Sequence, residues 1–163
     1  MNILPAPANE HQFGGSHYKG VAYQHWDFAA DCRLGYFEGQ ITKYISRYKK
    51  KNGLVDVQKC GHFLDKLIEL AAAGRRPQND DYTVGRGTRF IETNDLGSLE
   101  AIVVRYTASW ERPHQLGFAR VQVTRLIEIL SAPKPDQAPR ALTSEQEAAV
   151  DDTAGLAPKG DAS

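Results

Sequence analysis

The strongest chemical signal in the sequence is a concentration of positive charge between residues 43 and 59. Six basic side chains share these positions with one acidic residue, Asp56, and they are Lys43, Arg47, Lys49, Lys50, Lys51 and Lys59. On a helical wheel Lys43, Arg47 and Lys50 form one polar stripe, and Gln40 lies with Arg47 at the boundary with the apolar face. An arginine at such a boundary packs its stem while its guanidinium stays in water, which suits a bidentate grip on phosphate or carboxylate. The pattern indicates a site for a small anion.

Two parts of this segment also have a structural interpretation. Lys49 to Lys51 are typical of a solvated helix end, where positive charge complements the helix macrodipole. Asp56 flanks the apolar stripe of the following helix. Across a tight turn it faces Arg47 as a structural ion pair, or it serves as a ligand for magnesium or substrate. We favour the ion pair from the sequence.

A second candidate site is the glycine-flanked loop at residues 14–20, which contains His17, Tyr18 and Lys19. Glycine permits close backbone approach to a ligand, so N–H groups and Lys19 suit a phosphate, while Tyr18 suits stacking on a base. The alternative is a chain-entry strap in which Tyr18 packs on the domain and His17 caps a neighbouring group. Composition alone favours the strap.

The familiar motifs of phosphate and hydrolytic chemistry are missing. The sequence contains no P-loop, no G-x-G-x-x-G, no H-E-x-x-H and no G-x-S-x-G. Asp65 and Glu69 have the spacing of paired metal ligands in all-α nucleotide pyrophosphohydrolases. They lie away from the buried stripe of their helix, with Lys66 between them, and this argues against metal-dependent hydrolysis.

Composition limits the class of protein. The 163 residues contain 20 basic and 20 acidic side chains, a balance that argues against a nucleic-acid-coating protein or a polybasic membrane binder. The two cysteines make no disulfide framework, and no signal peptide or membrane-spanning stretch is evident. We therefore expect a cytoplasmic protein without a membrane partner and without sequence-specific nucleic-acid binding.

The chain divides into a helical domain between two tails. Residues 1–14 contain Pro5 and Pro7, and residues 132–163 contain three basic and six acidic residues, a net charge of −3, and no aromatic residue. Both tails are expected to be disordered because they cannot bury enough apolar area, although Ser144–Val150 has some helical character. Without the acidic tail the rest of the chain is net +3.

Residues 15–131 show helical periodicity and predict an all-α bundle. We expect a short helix over residues 26–33 and two helical hairpins, with the first hairpin within residues 15–74 and the second within residues 94–131. The Asn52-Gly53 pair predicts the turn of the first hairpin, and Pro113 interrupts the second. Residues 75–93 are expected to form a loop, with a small β-hairpin at Tyr82–Glu92 equally compatible.

The run from His17 to Leu70 is similar to a bacteriophage family of small proteins. The family pattern contains H-Y, a W/I-[DE]-F segment, G-N-I-x-K-Y-x-x-R-x-x-K and a D-L-x-K-A-x-x-Y-L helix. The matching residues are His17-Tyr18, Trp26-Asp27-Phe28, Gly39-Gln40-Ile41, Lys43-Tyr44, Arg47, Lys50, Asp56-Val57, Lys59 and Leu64. Gln40, Val57 and Cys60 replace the usual Asn, Leu and Ala. The second hairpin and both tails lie outside the match.

Members of this family are commonly labelled nucleotide kinase, by similarity to an early protein of short-tailed coliphages that phosphorylates deoxynucleoside monophosphates. The resemblance implies a phage protein that acts in the cytoplasm of the infected host cell, as a homo-oligomer. It also implies a nucleoside triphosphate donor and Mg²⁺.

Three functions are consistent with these features. The leading hypothesis is Mg²⁺-dependent phosphoryl transfer to deoxynucleoside monophosphates, since clustered cations and one carboxylate supply positioning and charge neutralisation. The alternatives are a non-catalytic protein that binds or sequesters a nucleotide, and a module that binds a host protein through an exposed stripe of the second hairpin. The leading hypothesis assigns phosphate or substrate contacts to His17, Tyr18, Lys19, Gln40, Lys43, Arg47 and Lys50, and the metal to Asp56.

Overall fold

The structure is a computed structural model that describes Asn9 and residues 20–133. Six α-helices lie within these residues, in agreement with the helical periodicity of the sequence. They are α1 (His25–Asp31), α2 (Tyr36–Arg47), α3 (Leu54–Ala72), α4 (Val84–Thr93), α5 (Ser98–Ala108) and α6 (Pro113–Ser131). Strand pairing within these residues is limited to one isolated antiparallel bridge, between Leu34 and Asn79. The predicted all-α class is therefore confirmed. None of the described helices is long and apolar enough to cross a membrane.

The tails predicted at the two ends of the chain lie outside the described residues, apart from Asn9 and residues 132 and 133. The helical segment predicted over Ser144–Val150 lies outside them as well.

Helices α2 and α3 form the first hairpin, closed by a 3₁₀ turn (Tyr48–Lys50) and by Asn52-Gly53. Gly53 has a φ of 51°, and its N–H donates to the carbonyl of Tyr48 at 2.9 Å. Glycine adopts this left-handed conformation without the steric cost that a Cβ atom brings. The turn residues thus bring the end of α2 beside the start of α3.

The second hairpin, α5 and α6, packs against the first. Helix α6 contacts α3 as well as α5, and α2 contacts α5, so the four long helices enclose a common core. Its fully buried residues include Ile41, Ile45, Val57, Leu64, Val103, Val104, Leu116 and Val123. Gly61 lies at the crossing of α3 and α6, where an added Cβ would be 3.3 Å from Val123 Cγ1, and so permits close helix packing.

The connection between the hairpins differs from the prediction. Both the loop over residues 75–93 and the alternative β-hairpin are wrong from Val84 onward, because Val84–Thr93 is helical. Thr83 caps this helix, since its hydroxyl accepts a hydrogen bond from the backbone N–H of Arg86 at 3.2 Å. Phe90 of α4 stacks on Phe28 of α1 with ring centroids 4.2 Å apart. Helix α4 thereby holds α1 against the bundle.

A buried carboxylate joins α2 to the connection after α3 and to the end of α5. Glu38 is fully buried, accepts a hydrogen bond from Trp110 Nε1 at 3.1 Å and pairs with Arg75 Nη2 at 3.3 Å. A buried charge is tolerated only when it is paired and hydrogen-bonded. Glu38 therefore fixes the first turn of α2 relative to both hairpins.

Candidate functional site

Three cationic side chains lie over the ring of Tyr44. Arg47 Cζ is 4.6 Å from the ring centroid, Lys43 Nζ is 5.0 Å from it and Lys59 Nζ is 5.7 Å from it. The ring also stacks on Phe63, with centroids 5.7 Å apart. Aromatic ring faces attract cations, so Tyr44 brings positive charge from α2 and α3 to one surface. Lys43, Arg47 and Lys59 are called the cationic cluster below.

Asp56 lies within this cluster and is held by two donors. Arg47 Nε donates to Asp56 Oδ2 at 3.0 Å, and Asn52 Nδ2 donates to Oδ1 at 3.1 Å. Burial by itself raises the pKa of Asp56, but the hydrogen bonds from Arg47 and Asn52 and the charges of Arg47 and Lys59 outweigh it and lower the pKa below its ordinary value. The ion pair favoured from the sequence is present. Among the described residues, Asp56 is the carboxylate that pairs with the cluster, against its three cationic side chains.

Lys43 has an environment that penalises its charge. Burial is the largest cause of its lowered pKa, and the positive charges of Arg47 and Lys51 lower the pKa further, while Asp56 opposes them. Such a lysine gains from a nearby anion, since the anion reverses the unfavourable electrostatics. A bound phosphate group would therefore stabilise the charged form of Lys43.

A pocket opens beside Lys43, between α1 and α2. It has a volume of about 160 Å³ and is lined by Gln24, His25, Trp26 and Lys43. Trp26 is 47% exposed, whereas Gln24 is buried. An exposed indole provides a stacking surface for a flat ring. The pocket is smaller than a typical site for a whole drug-sized ligand, so it suits one ring whose anionic group extends to the cluster.

His25 forms the polar wall of this pocket. Its Nε2 is 2.9 Å from the hydroxyl of Thr42, and that hydroxyl donates its own hydrogen to the carbonyl of Glu38 at 2.9 Å. With that hydrogen directed to the carbonyl, the Thr42 oxygen accepts a hydrogen bond from His25 in the tautomer that carries its hydrogen on Nε2. Burial, followed by the charge of Lys43, lowers the pKa of His25 to about 4. The imidazole is thus neutral at neutral pH.

The structure does not bring all of the other predicted site residues close to the cationic cluster. Gln40 is half-buried on α2, one turn before Lys43. Lys50 is exposed and lies in the 3₁₀ turn after the end of α2. It therefore does not continue the α-helical stripe of Lys43 and Arg47 that the sequence predicts. His17, Tyr18 and Lys19 lie outside the described residues.

Neither His25 nor Trp26 is among the site residues that the sequence predicts. A usable signal was present in α1, where only Phe28 is buried. Residues two positions apart on an α-helix point about 200° apart, so Trp26 cannot share the buried face with Phe28. A large aromatic residue directed away from the core of a short helix is a candidate for ligand contact.

Metal binding by the protein alone finds little support in the described part of the chain. Residues 20–133 contain no group of three or more His, Cys, Asp or Glu side chains that could hold a metal ion. Asp65, one of the spaced carboxylates, pairs instead with Arg120 at 2.5 Å, and Glu69 pairs with Lys66 at 2.7 Å. Asp56 remains the candidate ligand, and any Mg²⁺ there would depend largely on substrate phosphates for its remaining ligands.

A comparison of the chain with protein-family models finds no match, and comparisons with curated proteins and with solved structures find none either.

Proposed function

We propose that this protein binds a nucleotide, with the base against Trp26 and the phosphate at the cationic cluster. The observation that carries this proposal is the position of Lys43, which lines the pocket beside Trp26 and also lies over Tyr44 within the cluster. One ligand with a flat ring and an attached anion fits both environments at once. A nucleoside monophosphate is the simplest ligand of this kind.

The charge of the site supports an anionic ligand. Within the part of the chain that the structure describes, the three cations of the cluster face the carboxylate of Asp56, and the pKa of Lys43 is lowered by its surroundings. A bound phosphate would offset the mutual repulsion of these cations, so part of the binding energy comes from relieving an unfavourable arrangement. The neutral His25 adds polar character to the pocket without adding charge.

Phosphoryl transfer to deoxynucleoside monophosphates is a second candidate, because Trp26, Lys43, Arg47 and Asp56 all belong to the segment that resembles the phage family. Two features favour binding without catalysis. Asp56 is occupied by Arg47 and Asn52, and a histidine whose pKa is about 4 is a weak general base near neutral pH. We therefore place nucleotide binding first and phosphoryl transfer second.

Calorimetric titration with deoxynucleoside monophosphates, with and without Mg²⁺, tests the binding proposal. Losing one charge-assisted hydrogen bond costs about 1.5–3 kcal/mol, so Lys43→Gln is expected to raise the dissociation constant roughly ten- to a hundredfold. Lys66→Gln is the matched control, since it removes the same charge from the exposed side of α3. Equal affinities of the two variants would contradict the proposal.

Product analysis separates the two candidates. The wild-type protein is incubated with a deoxynucleoside monophosphate, a nucleoside triphosphate and Mg²⁺, and the diphosphates formed are measured. Formation of diphosphate that Lys43→Gln abolishes would establish phosphoryl transfer. Saturable binding without product would establish the non-catalytic alternative.

Membership of the phage family, a site of action in the infected host cell and a homo-oligomeric state remain proposals that the same resemblance supports. These three proposals do not depend on the pocket or on the cationic cluster, so a titration that shows no nucleotide binding would not contradict them.

A further inference from the structure

Helix α6 presents apolar side chains on two opposite faces. Its inner face packs in the core through Leu116, Ala119, Val123 and Leu126, all buried. Its outer face carries Phe118 at 51% exposure, Val121 at 50% and Ile129 at 61%, beside the exposed polar residues Thr124, Arg125 and Glu128. Large exposed apolar side chains that are rimmed by polar residues are typical of interaction surfaces. The equally long α3 differs, because its outward positions beyond Val55 are mostly polar or charged.

The outer face of α6 continues onto α5. Phe118 contacts Tyr106 of α5, with ring centroids 5.0 Å apart. Tyr106 also lines a groove of about 370 Å³, together with Ile102 of α5 and with Tyr82 and Val84 next to it. Val84 is 71% exposed. These residues form one apolar band, called the α4–α6 band below, that crosses three helices.

The groove ends in a polar region of about 260 Å³ that shares Tyr82 and Ser109 with the apolar part. Asp80 and Glu111 line the polar end, and Arg105 lines the apolar end. Within the described residues, none of these three charged side chains forms an ion pair. The same surface thus offers an unpaired cation, unpaired carboxylates, a concave groove and a protruding phenylalanine.

We propose that the α4–α6 band is the interface of a two-fold symmetric homodimer. In a two-fold symmetric dimer the same surface of both copies forms the interface, and each contact between residues occurs twice. That surface must therefore carry both partners of every contact. The band does so, because Phe118 of one copy has the groove of the other as its receptor, and Arg105 has Glu111 and Asp80 as partners. A surface that carries both signs of charge, a groove and a protruding ring can therefore pair with a second copy of itself.

Interfaces of standard size bury about 800 Å² on each partner. The band extends along α6, which has 19 residues and is therefore about 28 Å long, and continues onto the shorter α5 (11 residues) and the first residue of α4. The band includes no residue of the nucleotide pocket or the cationic cluster, so dimerisation leaves that site open.

Sedimentation equilibrium of the full chain tests this proposal. The wild type is expected to dimerise, and Phe118→Glu is expected to raise the dissociation constant at least about tenfold, since a charge would enter an apolar interface. Val55→Glu is the matched control, because Val55 is also 50% exposed but lies on α3. Circular dichroism establishes that each variant remains folded.

A charge exchange provides a second readout. Arg105→Glu is expected to weaken the dimer, and Arg105→Glu combined with Glu111→Arg to restore it, because the exchanged charges again face each other across the two-fold axis. A wild-type protein that is monomeric at every concentration would overturn the proposal. A dimer that Val55→Glu dissociates and Phe118→Glu does not would overturn it as well. Neither result would affect the nucleotide titration.

Discussion

Arg47 and Asp56 contact each other across the turn between α2 and α3, with Arg47 Nε 3.0 Å from Asp56 Oδ2 and Arg47 Nη2 3.5 Å from Oδ1. The carboxylate is fully buried and the arginine side chain is 14% exposed. The same guanidinium lies over the ring of Tyr44. Arg47 therefore supports the hairpin that carries the cationic cluster, in addition to supplying part of its charge.

This pair predicts a large and coupled effect on stability. Arg47→Ala leaves a buried carboxylate without its main partner, which costs about 3–5 kcal/mol in the free energy of unfolding. Arg47→Ala combined with Asp56→Ala is expected to cost clearly less than the sum of the two single changes. Urea unfolding of the wild type and the three variants measures this coupling. Additive losses would show that the contact has no net energetic role.

Because Arg47 and Asp56 are coupled, Lys43→Gln is a cleaner test of ligand binding than Arg47→Ala. A loss of nucleotide binding in Arg47→Ala could follow from a disturbed hairpin, since Asp56 would be left unpaired. Lys43 forms no ion pair in the described part of the chain, so its replacement by Gln changes the charge of the site with less effect on the fold.

A second prediction concerns the buried Glu38. Glu38→Ala removes the acceptor of Trp110 Nε1 and the partner of Arg75, and is expected to cost about 3–5 kcal/mol of unfolding free energy. Glu69→Ala is the control, because its pair with Lys66 is exposed and such pairs contribute about 0–1 kcal/mol. Chemical denaturation compares the two. Similar losses in both variants would contradict the role assigned to Glu38 in fixing α2.

His25 predicts a dependence of stability on pH. The unfolded chain binds a proton at His25 as the pH falls through 6.5, whereas the folded protein does so only near pH 4. The stability that the neutral imidazole contributes is therefore fully present above pH 6.5 and is lost between pH 6.5 and 4. The total is up to about 3 kcal/mol at 1.36 kcal/mol per pKa unit.

The check is the unfolding free energy of the wild type and His25→Gln at pH 7.5, 6 and 5. The glutamine amide keeps a donor for Thr42 but does not titrate, so the variant is expected to lose less stability on acidification. Parallel pH profiles would contradict the low pKa of His25.

The long helices were predictable because their apolar residues recur at helical spacing and their ends carry ordinary stop signals. Gly53 is an example, since Asn-Gly tolerates positive φ and the structure uses it. Helix α4 was missed because Gly85, Gly87 and Thr88 are poor helix formers. Its stability comes from the cap at Thr83 and from the burial of Phe90 against Phe28, and that contact depends on the tertiary fold.

The candidate site was predictable only in its charge. The density of lysine and arginine indicated an anion site, and the position of Arg47 opposite Asp56 follows from a hairpin with a short turn. The pocket was not predictable, because it forms where α1 meets α2 and depends on the direction in which α4 holds α1. The packing of α4 against α1 determines where Trp26 and His25 lie in the pocket.

The most direct test of the central claim is the fluorescence of Trp26 during titration with a deoxynucleoside monophosphate. The chain has two tryptophans, and Trp110 is buried at 1% exposure, so a ligand that stacks in the pocket quenches mainly Trp26. We predict saturable quenching in the wild type and in Lys66→Gln, its loss in Trp26→Phe, and a roughly ten- to hundredfold higher midpoint in Lys43→Gln. Absence of saturable quenching in the wild type, or its full retention in Trp26→Phe, would contradict nucleotide binding at this site.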